Sequence, residues 1–187
     1  LVGLDIRNFF TFAVAGLGAF IFLLGTVAWL YGKAEKKVTA TFWIYKYSRH
    51  PQYLGYIIWS YGVMLQASLV PFPYGGSNPG AGLPWLTSSL IVVCIALAEE
   101  IKMGQRDKDT YLKYKRSTPF MFPVPRLVAS IVAFPIKIVL GKTQPENRKE
   151  IIGTFAIYFV IFILLSLPFV LLNWPPSESW ASWPYSV

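Results

Sequence analysis

The sequence predicts an all-α fold, an integral membrane helical bundle with about four transmembrane helices and one amphipathic helix at the membrane interface. Three observations lead to this prediction. The 187 residues are 55% hydrophobic and only 14% charged, which is too apolar for an ordinary soluble domain. The apolar residues form uncharged runs about as long as a membrane span. The basic residues are concentrated between particular runs.

Four apolar runs are candidates for membrane-spanning helices. Residues 9–31 and 51–70 contain no charged side chain, and 151–172 is equally apolar, with Pro168 as an expected kink or stop near its end. The run 83–98 is shorter and ends at two glutamates. The first run is far longer than the roughly 7 to 15 apolar residues of a secretory signal, so we predict that it spans the membrane.

The placement of charge predicts the orientation of these spans. Of the 17 Lys and Arg residues, five lie between the first two runs and eleven between the last two, whereas the loop 71–84 and the tail 173–187 contain none. The positive-inside rule therefore places the basic loops, residues 32–50 and 99–150, in the cytoplasm and the N-terminus, the outer loop and the tail on the other side. Because topology accounts for the net charge of +8, we expect no nucleic-acid partner.

The sequence offers few residues for metal or nucleotide chemistry. Cys94 and His50 are the single cysteine and the single histidine, so neither a disulfide framework nor a zinc site is expected. The stretches "GLGAF" and "GGSNPGAG" do not follow a strand and open a helix, as a dinucleotide-binding loop must. Any chemistry is therefore expected where the spans meet the cytoplasmic loops.

The first such place is the start of the second run. Pro51 suits the first turn of a helix, because its missing N–H would have no partner there. One interpretation is an interfacial helix start with Arg49 extending to the membrane surface. The other gives weight to Tyr53 and Gly55, which follow within about a turn and, with Arg49 and His50, could cradle a small polar ligand.

The second place is the glutamate pair that ends the third run. A carboxylate at a membrane boundary is costly unless it is paired or bound to a ligand, although Glu99 and Glu100 could also face water or pair with Lys102 and Arg106. Unless the helix continues through Lys102, the pair also lies at the negative end of the helix dipole and needs a cation. A hairpin of the second and third spans would bring the glutamates to the depth of Arg49.

The glutamate pair is followed by two tyrosines and a proline, which complete a set of residues with a recognisable spacing. The set is Arg49, His50, Pro51, Tyr53, Gly55, Glu99, Glu100, Tyr111, Tyr114 and Pro119. These residues resemble the motifs of the isoprenylcysteine carboxyl methyltransferases and the related phospholipid methyltransferases, and the spacing from the glutamates to the tyrosines and proline is similar to that of the family. The resemblance covers about residues 47–125.

The resemblance implies an S-adenosylmethionine-dependent methyltransferase that acts on a lipophilic or lipidated acceptor and needs no metal. It implies that Arg49 orients an anionic acceptor and that Glu99 or Glu100 meets the cofactor ammonium or ribose hydroxyls, so that Arg49 and Glu100 are the predicted catalytic residues. Tyr111, Tyr114 and Pro119 would belong to a lid, or its hinge, that closes the site from the cytoplasm. The predicted cofactor-binding residues are His50, Tyr53, Gly55, Glu99, Glu100, Tyr111, Tyr114 and Pro119.

The resemblance leaves part of the chain uncovered. We treat residues 1–187 as a single membrane domain in which the methyltransferase-like core, about 47–125, is followed by an interfacial helix and a fourth span in 126–187. The tail carries three tryptophans, which we expect in an outer aromatic belt. Contact with partner membrane subunits through 151–187 is the alternative. Only one span precedes the motif, fewer than these families usually have, so we expect further residues before Leu1.

Two other functions remain open at this point. Membrane sterol reductases, which use NADPH, also carry a stretch similar to "RHPQYLG" before a last cytoplasmic segment. A non-catalytic structural subunit of a larger membrane complex is the second alternative, favoured by the added span and tail. The sequence does not identify the methyl acceptor.

Overall fold

The described part of the chain is entirely helical and contains no strand. The computed structural model describes residues 6–36, 41–69, 82–106, 108–122 and 124–172. The tail 173–187 and most of the outer loop 71–84 lie outside these residues, and so do the aromatic belt and partner contact expected of the tail. The helices are α1 (Ile6–Ala34), α2 (Pro51–Leu69), α3 (Leu83–Arg106), α4 (Lys108–Ser117), α5 (Arg126–Leu140) and α6 (Arg148–Leu172), with a 3₁₀ turn at Trp43–Lys46.

The predicted all-α fold is confirmed, and two helices are long and apolar enough to cross a membrane. These are α1 and the Arg148–Pro168 part of α6. The predicted helix start at Pro51 is confirmed as well. Pro168 does not end α6, which continues through Leu172.

Helices α1 and α2 form an antiparallel pair whose backbones nearly touch. The buried positions Thr11, Gly18, Gly25 and Gly32 recur every seven residues along α1, a spacing that keeps them on one side of a helix wound gently around its neighbour. A Cβ added to Gly18 would lie 2.1 Å from the Trp59 backbone nitrogen. Small residues therefore set the distance between the two helices.

Helix α3 continues beyond the apolar run 83–98 and carries the glutamate pair inside the helix. It extends for two more turns to Arg106, so the alternative in which the helix continues through Lys102 is the observed one. Glu99 and Glu100 therefore do not lie at a helix C-terminus, and the helix dipole does not explain why they need a cation. After residue 107, α4 turns back towards α3 and places the Tyr111 ring 3.4 Å from the Cβ position of Gly104.

Helices α5 and α6 complete the described chain. Helix α5 ends at Gly141, whose φ of +68° suits glycine and whose N–H donates to the Lys137 carbonyl. The Tyr158 hydroxyl donates to the Val132 carbonyl and so ties α6 to α5. Helix α6 in turn packs along α3. The helix that was predicted to follow the methyltransferase-like core is confirmed as a helix, α5. Its place at a membrane interface belongs to the proposal below.

Candidate functional site

A cluster of charged and aromatic side chains lies where the start of α2, the last turns of α3 and the segment 108–122 meet. The predicted approach of the two clusters is confirmed, because Arg49 and His50 lie against Glu99 and Glu100, which are about 50 residues away in the sequence. Arg49, His50 and Glu100 are each no more than 5% exposed. A buried cluster of this kind needs internal charge compensation, which its geometry supplies.

Glu100 is the centre of the cluster. Its Oε1 lies 3.0 Å from Arg49 Nη1 and 3.3 Å from His50 Nε2, and its Oε2 lies 3.7 Å from Lys115 Nζ. The Arg49 contact is an ion pair and not an aligned hydrogen bond, since Nη1 has no hydrogen-bond partner. Glu100 therefore holds α2 and α4 to α3.

The ionised form of Glu100 is the favoured one. Burial raises the pKa of the Glu100 carboxyl, but the hydrogen bond with His50 and the positive charge of Arg49 outweigh that effect and hold the pKa below its ordinary value. A buried carboxylate is thus kept charged by its neighbours. Burial, together with the negative charge of Glu100, raises the pKa of the nearby Tyr111 hydroxyl, which stays protonated.

Glu99 occupies the open side of the same cluster. It is half-exposed, and its Oε1 accepts a 2.8 Å hydrogen bond from the Tyr53 hydroxyl. The Tyr53 ring stacks on the His50 imidazole, with 5.7 Å between the centroids. His50 Nδ1 lies 4.0 Å from Glu99 Oε2, so the imidazole stands between the two carboxylates. The two glutamates therefore have different environments, which the sequence did not predict.

The segment that follows α3 covers the cluster. The Arg49 amide donates to the Pro119 carbonyl at 3.0 Å. The buried Tyr114 hydroxyl donates to the Tyr45 carbonyl at 2.8 Å, which ties α4 to the 3₁₀ turn. Tyr111 packs against α3 at Gly104 and is also buried. The structure thus brings Tyr111, Tyr114 and Pro119 to the site, with the last two in tethering contacts.

Gly55 is the predicted site residue that lies elsewhere. A Cβ at this position would lie 2.3 Å from the Phe22 backbone nitrogen and 2.8 Å from the Gly18 carbonyl oxygen. Gly55 therefore packs against α1, and close approach of two helices explains the glycine without a ligand.

Three residues of the cluster were not predicted from the sequence. Phe120 packs edge-on against His50, with 5.0 Å between the centroids, and its ring lies 5.7 Å from the Arg49 guanidinium carbon. Lys115 approaches Glu100, and Tyr45, whose carbonyl accepts the Tyr114 hydroxyl, is buried. Burial and the charge of Glu99 raise the pKa of Tyr45 to about 12. Their positions next to the motifs, in "WIYKYSRHP" and "KYKRSTPF", were the available signal.

Three buried donor groups at the site have no aligned hydrogen bond in the described part of the chain. They are the Arg49 Nε–H, the Arg49 Nη1 group and the Tyr111 hydroxyl, and both residues are 5% exposed. The Tyr111 hydroxyl is nevertheless close enough to Glu100 and Arg49 to interact with both. Unpartnered buried donors are rare because they lose their bonds to water. A ligand oxygen would satisfy them. The described residues contain no group of three potential metal ligands.

Comparisons of the chain with protein-family models, with curated proteins and with solved structures find no match.

Proposed function

We propose that this protein is an integral membrane methyltransferase that uses S-adenosylmethionine and acts on a lipophilic acceptor at the cytoplasmic face. The observation that carries the proposal is the convergence of Arg49, His50, Glu99 and Glu100 with the segment 108–122. Those are the segments in which the sequence resembles the methyltransferase families, and side-chain packing brings them together at one buried cluster.

The membrane setting is part of the proposal, with four spans: α1, α2, the Leu83–Ala98 part of α3, and α6. The most apolar 18-residue stretches of α1 and α6 are mostly exposed, since only 17% and 11% of these stretches are buried. A core helix of a soluble protein would be mostly buried, whereas a lipid-facing helix is not. Helix α5 is about 22 Å long by helical rise and too short to span, so it lies in the cytoplasmic interface.

The residues at the site suit the chemical groups of the cofactor. S-adenosylmethionine carries a sulfonium and an ammonium, for which the half-exposed Glu99 carboxylate and the rings of Tyr53 and Phe120 are suitable partners. It also carries a carboxylate, for which the Arg49 Nε–H, which has no aligned hydrogen bond, and the neighbouring Tyr111 hydroxyl are donors. Glu100 is already paired on both oxygens, so its role is to hold Arg49 and His50 in place.

When bound, the cofactor supplies an electrophilic methyl group for in-line displacement by the acceptor. The protein must then align two reactants and exclude water. Arg49, fixed by Glu100 and by the hydrogen bond that its backbone N–H donates to the Pro119 carbonyl, keeps a buried cation at the site for an anionic acceptor or the cofactor carboxylate. Phe120 and the buried Tyr111 and Tyr114 form an apolar cover over this cation.

A non-catalytic subunit is the second candidate. The contacts of Glu100 with Arg49, His50 and Lys115 leave that carboxylate internally satisfied, as in a structural cluster. In that case the motifs would hold α2, α3 and α4 together without a ligand. The Arg49 Nε–H favours the enzyme, because it has no aligned hydrogen bond and a purely structural cluster is expected to pair a buried charged donor.

Thermal unfolding of the detergent-solubilised protein tests the proposal. The midpoint should rise with S-adenosylmethionine or S-adenosylhomocysteine and stay constant with NADPH, because a ligand stabilises the folded state to which it binds. A rise with NADPH alone would support a reductase, and no rise with any of the three would support the structural subunit. If S-adenosylmethionine binds, incubation with extracted membrane lipids and mass spectrometry would identify the methylated acceptor.

A further inference from the structure

An aromatic cluster lies on the outside of the molecule at the end of α1. Trp43, in the 3₁₀ turn, stacks on Tyr31 with 5.4 Å between the ring centroids and an interplanar angle of 17°. Phe42 packs edge-on against both rings, at 5.6 and 5.7 Å. Trp43 nevertheless remains 56% exposed, and Tyr47 is 75% exposed. The contacts with Tyr31 and Phe42 therefore hold the Trp43 indole in an exposed position.

The backbone of Trp43 has an unusual conformation that supports this arrangement. Its φ of +51° lies in the left-handed region, which a bulky residue rarely adopts. Such a conformation persists when surrounding contacts fix it, and here the Tyr31 and Phe42 rings provide those contacts. Burial does not explain this strained backbone conformation, because the conformation directs the Trp43 side chain to the surface.

Positive charge lies at the same level as the aromatic rings. Lys33, one turn after Trp29, places its Nζ 5.0 Å from the Trp29 ring centroid, and Lys46 ends the 3₁₀ turn. Both lysines are exposed, and Trp29 is 44% exposed. Exposed aromatic rings together with lysines are typical of the layer where a bilayer meets the cytoplasm.

We infer that these residues form an interface girdle that binds the negatively charged phospholipid headgroups of the cytoplasmic leaflet. The girdle consists of Trp29, Tyr31, Lys33, Trp43, Lys46 and Tyr47. Trp29 and Lys33 share one side of α1, whereas Tyr31 and the stacked Trp43 lie about 200° further round the helix. A protein partner would cover one side of α1, but a lipid layer contacts both at once. This inference rests on the membrane setting and not on methyl transfer.

The girdle also connects the lipid surface with the candidate site. On the 3₁₀ turn, Trp43 and Lys46 face outwards, whereas Tyr45 between them is 7% exposed and its carbonyl accepts the Tyr114 hydroxyl. Three residues after Lys46, Arg49 begins the buried cluster. Lipid bound at the girdle therefore fixes the 3₁₀ turn, to which α4 is tied by the hydrogen bond from Tyr114.

Native mass spectrometry tests the girdle in detergent micelles that contain equal amounts of phosphatidylglycerol and phosphatidylcholine with the same acyl chains. The parent should retain more phosphatidylglycerol than phosphatidylcholine. In the double variant Lys33→Gln/Lys46→Gln, the ratio of the two bound lipids should fall about five-fold for each lysine removed. The matched control, Lys113→Gln/Arg116→Gln, removes the same charge from exposed positions on α4 and should keep the preference. Equal loss in both variants, or no preference in the parent, would overturn the inference.

A second measurement uses Trp43 itself. In nanodiscs of phosphatidylcholine brominated either near the headgroup or near the chain end, the fluorescence difference between the parent and Trp43→Phe reports on this indole alone. We expect stronger quenching by the shallow bromines, because the girdle lies at the headgroup layer. Absence of quenching by both lipids would overturn the lipid assignment. A simultaneous change in oligomeric state in Trp43→Phe would instead indicate a contact between copies of the chain.

Discussion

Helix α2 takes part in two contacts of opposite chemical character. Along its length it packs against α1 through Gly55 and Gly62, where backbone meets backbone and no charge is involved. Just before its first turn it joins α3 through Arg49 and His50, where the two closest charged contacts converge on Glu100. An added Cβ would clash at the first contact, and removal of one charge would leave an unpaired buried ion at the second. Close packing therefore builds the helix pair, and charge compensation builds the site.

The largest expected effect comes from removing the central charge of the cluster. Glu100→Gln keeps the side-chain volume but leaves Arg49 buried without its counter-charge, and breaking a buried pair in this way costs about 3 to 5 kcal/mol. We expect the free energy of unfolding in detergent to fall by this amount. Glu99→Gln is the matched control, because Glu99 is half-exposed. An equal loss in both variants would show that burial does not distinguish the two glutamates.

Acid should reproduce that loss in the parent protein. Because the pKa of Glu100 is lowered in the folded state, its pairing contributes stability above the ordinary glutamate pKa of about 4.3, and the contribution disappears as the pH falls through the lowered pKa. The difference in unfolding free energy between the parent and Glu100→Gln should thus be constant near neutral pH and shrink in acid. A difference that persists at the lowest accessible pH would contradict this assignment.

The packing contact should respond to a single methyl group. Gly18→Ala places a Cβ 2.1 Å from the Trp59 backbone nitrogen, so α1 and α2 must separate, at a cost of about 1 to 3 kcal/mol. Gly16→Ala brings the same gain in helix propensity, and its Cβ meets nothing within 4 Å. We expect Gly16→Ala to be neutral or stabilising in the same unfolding measurement. If both variants unfold like the parent, the close helix contact is wrong.

A smaller effect is expected where α4 is tied to the 3₁₀ turn. Tyr114→Phe removes the hydroxyl that donates to the Tyr45 carbonyl and should lower the free energy of unfolding by about 1 kcal/mol. Tyr47→Phe removes a hydroxyl from a residue that is 75% exposed and should change little. Hydrogen exchange of residues 111–117 should increase in the first variant only. Unchanged exchange in Tyr114→Phe would remove the tethering role.

The sequence predicted the long helices well, because uncharged runs and Pro51 mark them directly. It also predicted that Arg49 and the glutamates meet, since a hairpin of two spans leaves little choice of depth. It could not divide the roles of Glu99 and Glu100, which depend on the rotation of α3 about its own axis. Gly55 looked like part of a ligand cradle because its motif includes it, but its neighbour is a helix distant in sequence.

The central claim is that this cluster binds S-adenosylmethionine, and a calorimetric titration of the detergent-solubilised protein tests it most directly. The account predicts saturable binding to the parent and at least about ten-fold weaker binding to Glu99→Gln, which loses a charged partner for the cofactor without disturbing the Arg49–Glu100 pair. Glu35→Gln, an exposed glutamate outside the cluster, is the control and should bind like the parent. Equal affinity in all three proteins, or no binding to the parent, would contradict the claim.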